Sequence, residues 1–174
     1  MGQLPRIIIL LGFAIYFSAC QKERDLNIQY INVKGLSLYL IDSYESTGSH
    51  AIDESSIKVN KDALLSDEDF VSYDSSHHSF TISTSAMQMI QDLEHSTSGI
   101  PFALLADGAL VYSAYFWPSY SSASCDWIVT DPLSMPDNTM SMKLGYASAA
   151  TDIPDRRNHR RLINALDATG RLIN

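Results

Sequence analysis

Pro101-Phe102-Ala103-Leu104-Leu105-Ala106-Asp107-Gly108-Ala109-Leu110-Val111-Tyr112-Ser113-Ala114-Tyr115-Phe116 is two apolar runs joined by Asp-Gly. Asp-Gly between such runs is a strong short-range hairpin signal, because both central residues of the tight turn must take positive φ. The spacing predicts strands over 102–105 and 110–115 with the turn at 107–108. Trp117-Pro118 ends the second strand, since proline cannot donate to a ladder.

Upstream of this hairpin, a single apolar stripe runs through Ala86, Met89, Ile90 and Leu93. That spacing predicts a helix over 85–95. Ser83 or Thr84 is placed to cap it, and Gly99 and Pro101 stop it. Further back, Val71-Ser72-Tyr73 and Phe80-Thr81-Ile82 flank a polar turn at 74–78, a second hairpin. Ser66-Asp67-Glu68-Asp69 reads as a capping box for about one turn of helix. In 35–42, Leu36, Leu38 and Leu40 alternate with Ser37, Tyr39 and Ile41, which predicts a half-buried strand. The Ser-, Gly- and acid-rich stretch 43–56 reads as a loop, followed by a short strand at 57–59.

Downstream, 127–130 is a short strand, and Met140, Met142 and Leu144 alternate as one final strand. A C-terminal helix is expected over 158–168, with Gly170 at its C′ position and Leu172-Ile173 as a last short strand or apolar tail. Strands outnumber helices and come in hairpins. The expected class is α+β, an antiparallel sheet built from hairpins with two main helices on one face.

The chain has 174 residues, a formal charge of −8 and a hydrophobic fraction of 45%. That size and composition suit one globular domain. Its N-terminus has a different character. The apolar run 7–17 follows Arg6 and is too short to span a bilayer as a helix, which needs about 20 apolar residues. A basic start, a short apolar run and small residues before a processing point read as a secretory signal peptide. The domain division expected is a signal peptide at 1–19, a polar tether at 20–32 and a single domain at 33–174.

Removing 1–19 takes away Arg6, so 11 basic residues face 20 acidic ones, a net −9. An acidic domain repels nucleic acid and anionic headgroups, so neither is an expected partner.

Phe17-Ser18-Ala19-Cys20 resembles the lipobox of bacterial lipoproteins, in which the cysteine is lipidated and becomes the first mature residue. Phe17 departs from the family's usual Leu. The resemblance implies a lipid on Cys20 that anchors the domain in the bacterial cell envelope. Gln21 is not the aspartate associated with inner-membrane retention in some bacteria, which leans towards the outer membrane. With Cys20 lipidated, Cys125 has no disulfide partner in the chain. The alternative is a Cys20–Cys125 disulfide in a conventionally secreted protein. The mature part looks like the small lipoproteins of Bacteroidota. The stretch 64–73, the helix after it and Pro101-Phe102-Ala103-Leu104-Leu105-Ala106-Asp107-Gly108 are also similar to the periplasmic head of the SecD export subunit. That similarity implies an α+β head fold and transfers no functional residue.

Four features carry possible chemistry. Tyr112, Tyr115, Phe116, Trp117, Tyr120 and Trp127 fall within sixteen positions. Alternation puts Tyr112 and Phe116 on one strand face and Tyr115 and Trp117 on the other. If one face is open, Tyr115, Trp117, Tyr120 and Trp127 make a shelf for a glycan ring or a partner protein. The plainer reading is that the rings fill both sides of a small sheet.

Cys125 could be a nucleophile with His77, His78 or His159 as base, although buried packing of a cysteine is commoner. Adjacent His77 and His78 point to opposite faces of a strand and cannot easily chelate one metal. No metal site and no cofactor are expected. Finally, Arg156, Arg157, His159, Arg160 and Arg161 lie within six positions. They form either an anion clamp or a solvated helix start with Asp155 as a possible N-cap, and the favoured expectation is that they pair with the surplus acids elsewhere on the domain.

The leading expectation is a lipid-anchored, non-catalytic binding module. The rivals are a thiol- or hydrolase-type enzyme using Cys125 and a structural envelope component.

Overall fold

The computed structural model describes residues 33–147 and 152–173. The expected signal peptide, Cys20 and the tether lie outside the described residues. The α+β class holds: among the described residues ten strands, mostly paired antiparallel, accompany two α-helices.

The Asp-Gly hairpin forms as its residues dictate. Strands β5 (Ile100–Ala106) and β6 (Ala109–Phe116) flank Asp107 at φ 49° and Gly108 at φ 73°. Both runs are buried almost throughout. Around this hairpin lie β1 (Leu36–Ser46), β2 (Ile52–Val59), β7 (Cys125–Thr130) and β9 (Lys143–Tyr146). The six strands run in the order β2-β1-β5-β6-β7-β9, with only β6 and β7 parallel. A second sheet has the order β10-β3-β4-β8, from β3 (Phe70–Asp74), β4 (Ser79–Ile82), β8 (Thr139–Ser141) and β10 (Leu172–Ile173). Its β10–β3 pair is parallel.

The expected single antiparallel sheet is therefore two mixed sheets. The expected final strand is split between them: β8 joins one sheet and β9 the other, with Met142 at the crossover. Alternation of Met140, Met142 and Leu144 predicts a strand but does not say which sheet each half joins. Met140 and Met142 are both buried, while Leu144 is exposed.

Helices α1 (Thr84–Gln91) and α2 (Arg160–Ala168) pack through Ala86, Ile90, Leu162 and Leu166. These four join Phe70, Tyr73, Phe80 and Ile82 of the smaller sheet in one core. That core lies on the face of the larger sheet carrying Leu36, Leu38, Phe102, Leu104, Tyr112 and Phe116. The two helices thus share one face, as expected, but they share it with a second sheet.

The opposite face of the larger sheet is also buried. Tyr39, Ala103, Leu105, Tyr115, Trp117, Cys125 and Val129 form a second core with Ile52 and Ile57. Its cover comes from the stretch expected to be a loop. Residues 43–56 supply the end of β1 and half of β2, and β2 touches β6, three positions away in hydrogen-bond order. The sheet curls back on itself. Between the pairs Ser43↔Lys58 and Glu45↔Asp53, β1 advances two residues and β2 five. Irregularities of this kind bend a strand and raise its twist. The strand expected to be half-buried at 35–42 is consequently buried on both faces, with Ser37 1% and Tyr39 3% exposed.

Candidate functional site

The aromatic shelf does not form. Tyr112 and Phe116 enter one core, and Tyr115 and Trp117 enter the other, as alternation requires. Tyr115 and Trp117 are each only 1% exposed, because the β1–β2 hairpin covers their face. The Tyr115 hydroxyl donates to Tyr44 Oη (2.9 Å) and lies 3.0 Å from the His50 carbonyl. Burial, then the bond to Tyr44, push its pKa well up. Trp117 meets the His50 ring edge-on at 4.9 Å. Trp127 is half-buried and commits its indole N–H to Ser113 O (2.9 Å) and Ser113 Oγ (3.1 Å). Only Tyr120, 56% exposed, faces solvent. Its hydroxyl reaches the His95 carbonyl at 3.3 Å.

Cys125 is fully buried in the second core. Burial pushes its thiol up to about 12, and nearby Asp126 adds to the rise. A nucleophilic cysteine needs the opposite shift. The expected bases are not assembled around it. His77 and His78 occupy the β3–β4 turn and His159 caps α2, and both elements belong to the core on the other face of the larger sheet. His77 is instead engaged with Asp74, Nδ1 to Oδ2 at 2.8 Å. The fold does not bring Cys125 together with His77, His78 or His159. Among the described residues no cluster of three or more His, Cys, Asp or Glu is placed to hold a metal ion.

The arginine-rich segment divides in two. Arg156 pairs with Glu54, whose Oε1 also accepts from Ser113 N (2.7 Å) and Ser113 Oγ (3.1 Å). A carboxylate on β2 thereby satisfies a backbone donor of β6. Arg157 grips Asp155 with a bidentate fork, Nε to Oδ1 at 2.9 Å and a terminal nitrogen to Oδ2 at 2.7 Å. That fork holds the Asp155 carboxyl down at about 2. Asp155 therefore serves Arg157 and is not the helix N-cap expected of it. The cap is His159, whose Nδ1 accepts from Arg161 N at 3.3 Å. Burial and the neighbouring Arg156, Arg161 and Arg160 charges lower its pKa.

Arg160 and Arg161 are different. Both are exposed and neither has a carboxylate partner among the described residues. Together with His159, Asn164 and Ala165 they line a surface depression of about 380 Å³, which Asp107 of the hairpin turn also lines. Asp107 is held there by Gly35, whose N–H donates to its Oδ1 at 2.9 Å. Arg160 and Arg161 are visible in the sequence as charges, but only the fold separates them from Arg156 and Arg157, which take carboxylates. Glu54 could not be found by pattern at all, since its partner lies 102 positions away.

No family model matches the chain, and no curated protein and no solved structure matches it.

Proposed function

We propose that this chain is a lipid-anchored domain of the bacterial cell envelope that binds a ligand or partner and performs no chemistry of its own. Its anchor rests on Phe17-Ser18-Ala19-Cys20 after the short apolar run 7–17. The observation that carries the non-catalytic part is the state of Cys125. The nucleophile that the sequence offers is fully buried, with its thiol pushed up to about 12. With Tyr115 and Trp117 in the core, a glycan-stacking platform loses support, and the polar depression beside α2 takes its place as the surface for binding. The mature net charge favours neither nucleic acid nor a basic-patch hold on lipid, so the membrane contact in this reading is the acyl group itself. The outer membrane is favoured over the inner by Gln21.

The test is metabolic labelling with an alkyne fatty acid in a bacterial host, followed by fractionation of wild type and Cys20→Ser. Wild type should carry the label and sediment with membranes. The variant should lose the label and appear in the soluble fraction with an unchanged circular dichroism spectrum. A processed Cys20→Ser protein that stays in the membrane fraction would overturn the anchor.

A further inference from the structure

We infer that the depression beside α2 is an oxyanion site, in which Arg160 and Arg161 take a phosphate or carboxylate group of a small ligand. The inference deepens the reading of this chain as a binding domain and is independent of its anchor. Three observations converge on it.

The first is the distribution of charge. The protein is acidic, with 20 Asp and Glu against 12 Lys and Arg, so carboxylates to pair with are abundant. Arg156, Arg157 and Arg171 each take one, from Glu54, Asp155 and Asp67. Arg160 and Arg161, one turn further on, take none among the described residues. Second, the fold holds this pair where it is unfavourable. Both sit in the first turn of α2, where cations oppose the helix macrodipole. Both are exposed. An anion in the depression that both line would relieve the dipole conflict.

The third observation is shape. The pair lines an open depression of about 380 Å³. His159 and Asn164, both able to donate a neutral hydrogen bond, also line it. His159 Nδ1 is occupied as an acceptor from Arg161 N, so its ring proton lies on Nε2. Guanidinium groups present donors in a fork that matches phosphate and carboxylate geometry. The net charge of the protein repels an extended anionic surface, which favours a small ligand over a lipid bilayer.

The test uses the full lipidated chain, isotope-labelled, in nanodiscs of phosphatidylcholine. Sodium phosphate is titrated at constant ionic strength while the arginine Nε–Hε resonances are followed. Arg160 and Arg161 should shift along saturating curves with half-saturation in the millimolar range, the strength expected of a few exposed charge-assisted bonds. The double variant Arg160→Gln/Arg161→Gln should weaken binding at least about tenfold. Asp107→Asn keeps a residue that tolerates the turn's positive φ and removes the one acid on the wall, so it should tighten binding about two- to fivefold. Nanodiscs containing phosphatidylglycerol, without added phosphate, separate the sources. Shifts of the same resonances there assign the site to a headgroup, and unshifted resonances assign it to a free ligand. Linear, non-saturating shifts in wild type, or unchanged affinity in the double variant, would overturn the site. Loss of phosphate binding while Cys20→Ser still abolishes membrane retention would refute this inference and leave the anchor intact.

Discussion

Replacing Gly99 with alanine tests the packing that buries Trp117. Gly99 has φ +73°, and a Cβ there would lie 2.5 Å from Trp117 Cε3 and 3.0 Å from Cζ3. Both are closer than non-bonded carbons approach, so the indole must move. It has little room, being 1% exposed and in ring contact with His50 at 4.9 Å and Tyr115 at 6.0 Å. Gly170 is the internal control. It has φ +67°, with no atom within 4 Å of the added Cβ. Gly170→Ala therefore carries only the left-handed backbone cost, about 1–2 kcal/mol. Gly99→Ala carries the same cost plus over-packing of about 1–3 kcal/mol. The loss of unfolded-state freedom on replacing glycine is common to both and cancels in the comparison. Urea denaturation followed by tryptophan fluorescence should place Gly99→Ala below Gly170→Ala by about 1–3 kcal/mol with similar m-values. In melting temperature, each kcal/mol is about 2–4 °C for a domain of this size. In a Trp117→Leu background the extra cost of Gly99→Ala should largely vanish, because the clashing ring is gone. Equal destabilisation by the two alanines, or an undiminished penalty in the Trp117→Leu background, would refute the contact.

Cys125 should resist iodoacetamide in the native protein at pH 8 and react fully in concentrated urea, since its thiol is buried and pushed up to about 12. Alkylation of the native thiol at the unfolded rate, read by mass spectrometry, would contradict that burial. Asp155 is held at about 2, below its ordinary 3.8, by the Arg157 fork. A lowered carboxyl stabilises the fold fully above the unfolded value, and the contribution fades as pH falls through the folded one. Asp155→Asn should accordingly flatten the stability–pH curve between about pH 4 and 2. An unchanged slope over that window would remove Asp155 from the acid response. Glu54→Gln keeps an acceptor for Ser113 but loses the Arg156 pair, at a cost of about 1–3 kcal/mol. A double-mutant cycle with Arg156→Met that returns less than about 0.5 kcal/mol of coupling would assign the loss to something other than the pair.

Local chemistry was legible wherever one residue type has one physical solution. Asp107-Gly108 takes positive φ at both positions, Ser83 caps α1 through Ala86 N at 3.0 Å, and Gly170 follows α2 at φ 67°. The one-turn box at Ser66–Asp69 forms as a 3-10 turn, with Asp69 Oδ2 accepting from Ser66 N at 2.9 Å. Each of these is set within four residues of sequence. The stretch 43–56 was read as loop because serine, glycine and acids are poor strand formers. In the fold its few apolar residues decide the outcome. Ile52 is 3% exposed, neighbouring Ile57 is fully buried, and Glu54 closes the edge of β6. The partners of Glu54, Ser113 and Arg156, lie 59 and 102 positions away, so no local window contains the reason.

The same limit explains the fate of the two candidate surfaces. Alternation assigns Tyr115 and Trp117 to one face of β6 and does so correctly, yet a face is open only if nothing folds over it. What folds over it is the β1–β2 hairpin, whose bend comes from an irregular register and not from a turn residue. The arginines run the other way. A basic run in an acidic chain is expected to be neutralised by its surroundings, and for Arg156 and Arg157 it is. Arg160 and Arg161 take no carboxylate among the described residues, although Asp107 lines the same depression. Buried rings are held by the fold and have no capacity left for a ligand. Exposed charges beside a depression retain theirs, which is why the proposed binding surface lies with Arg160 and Arg161 and not with the aromatic cluster.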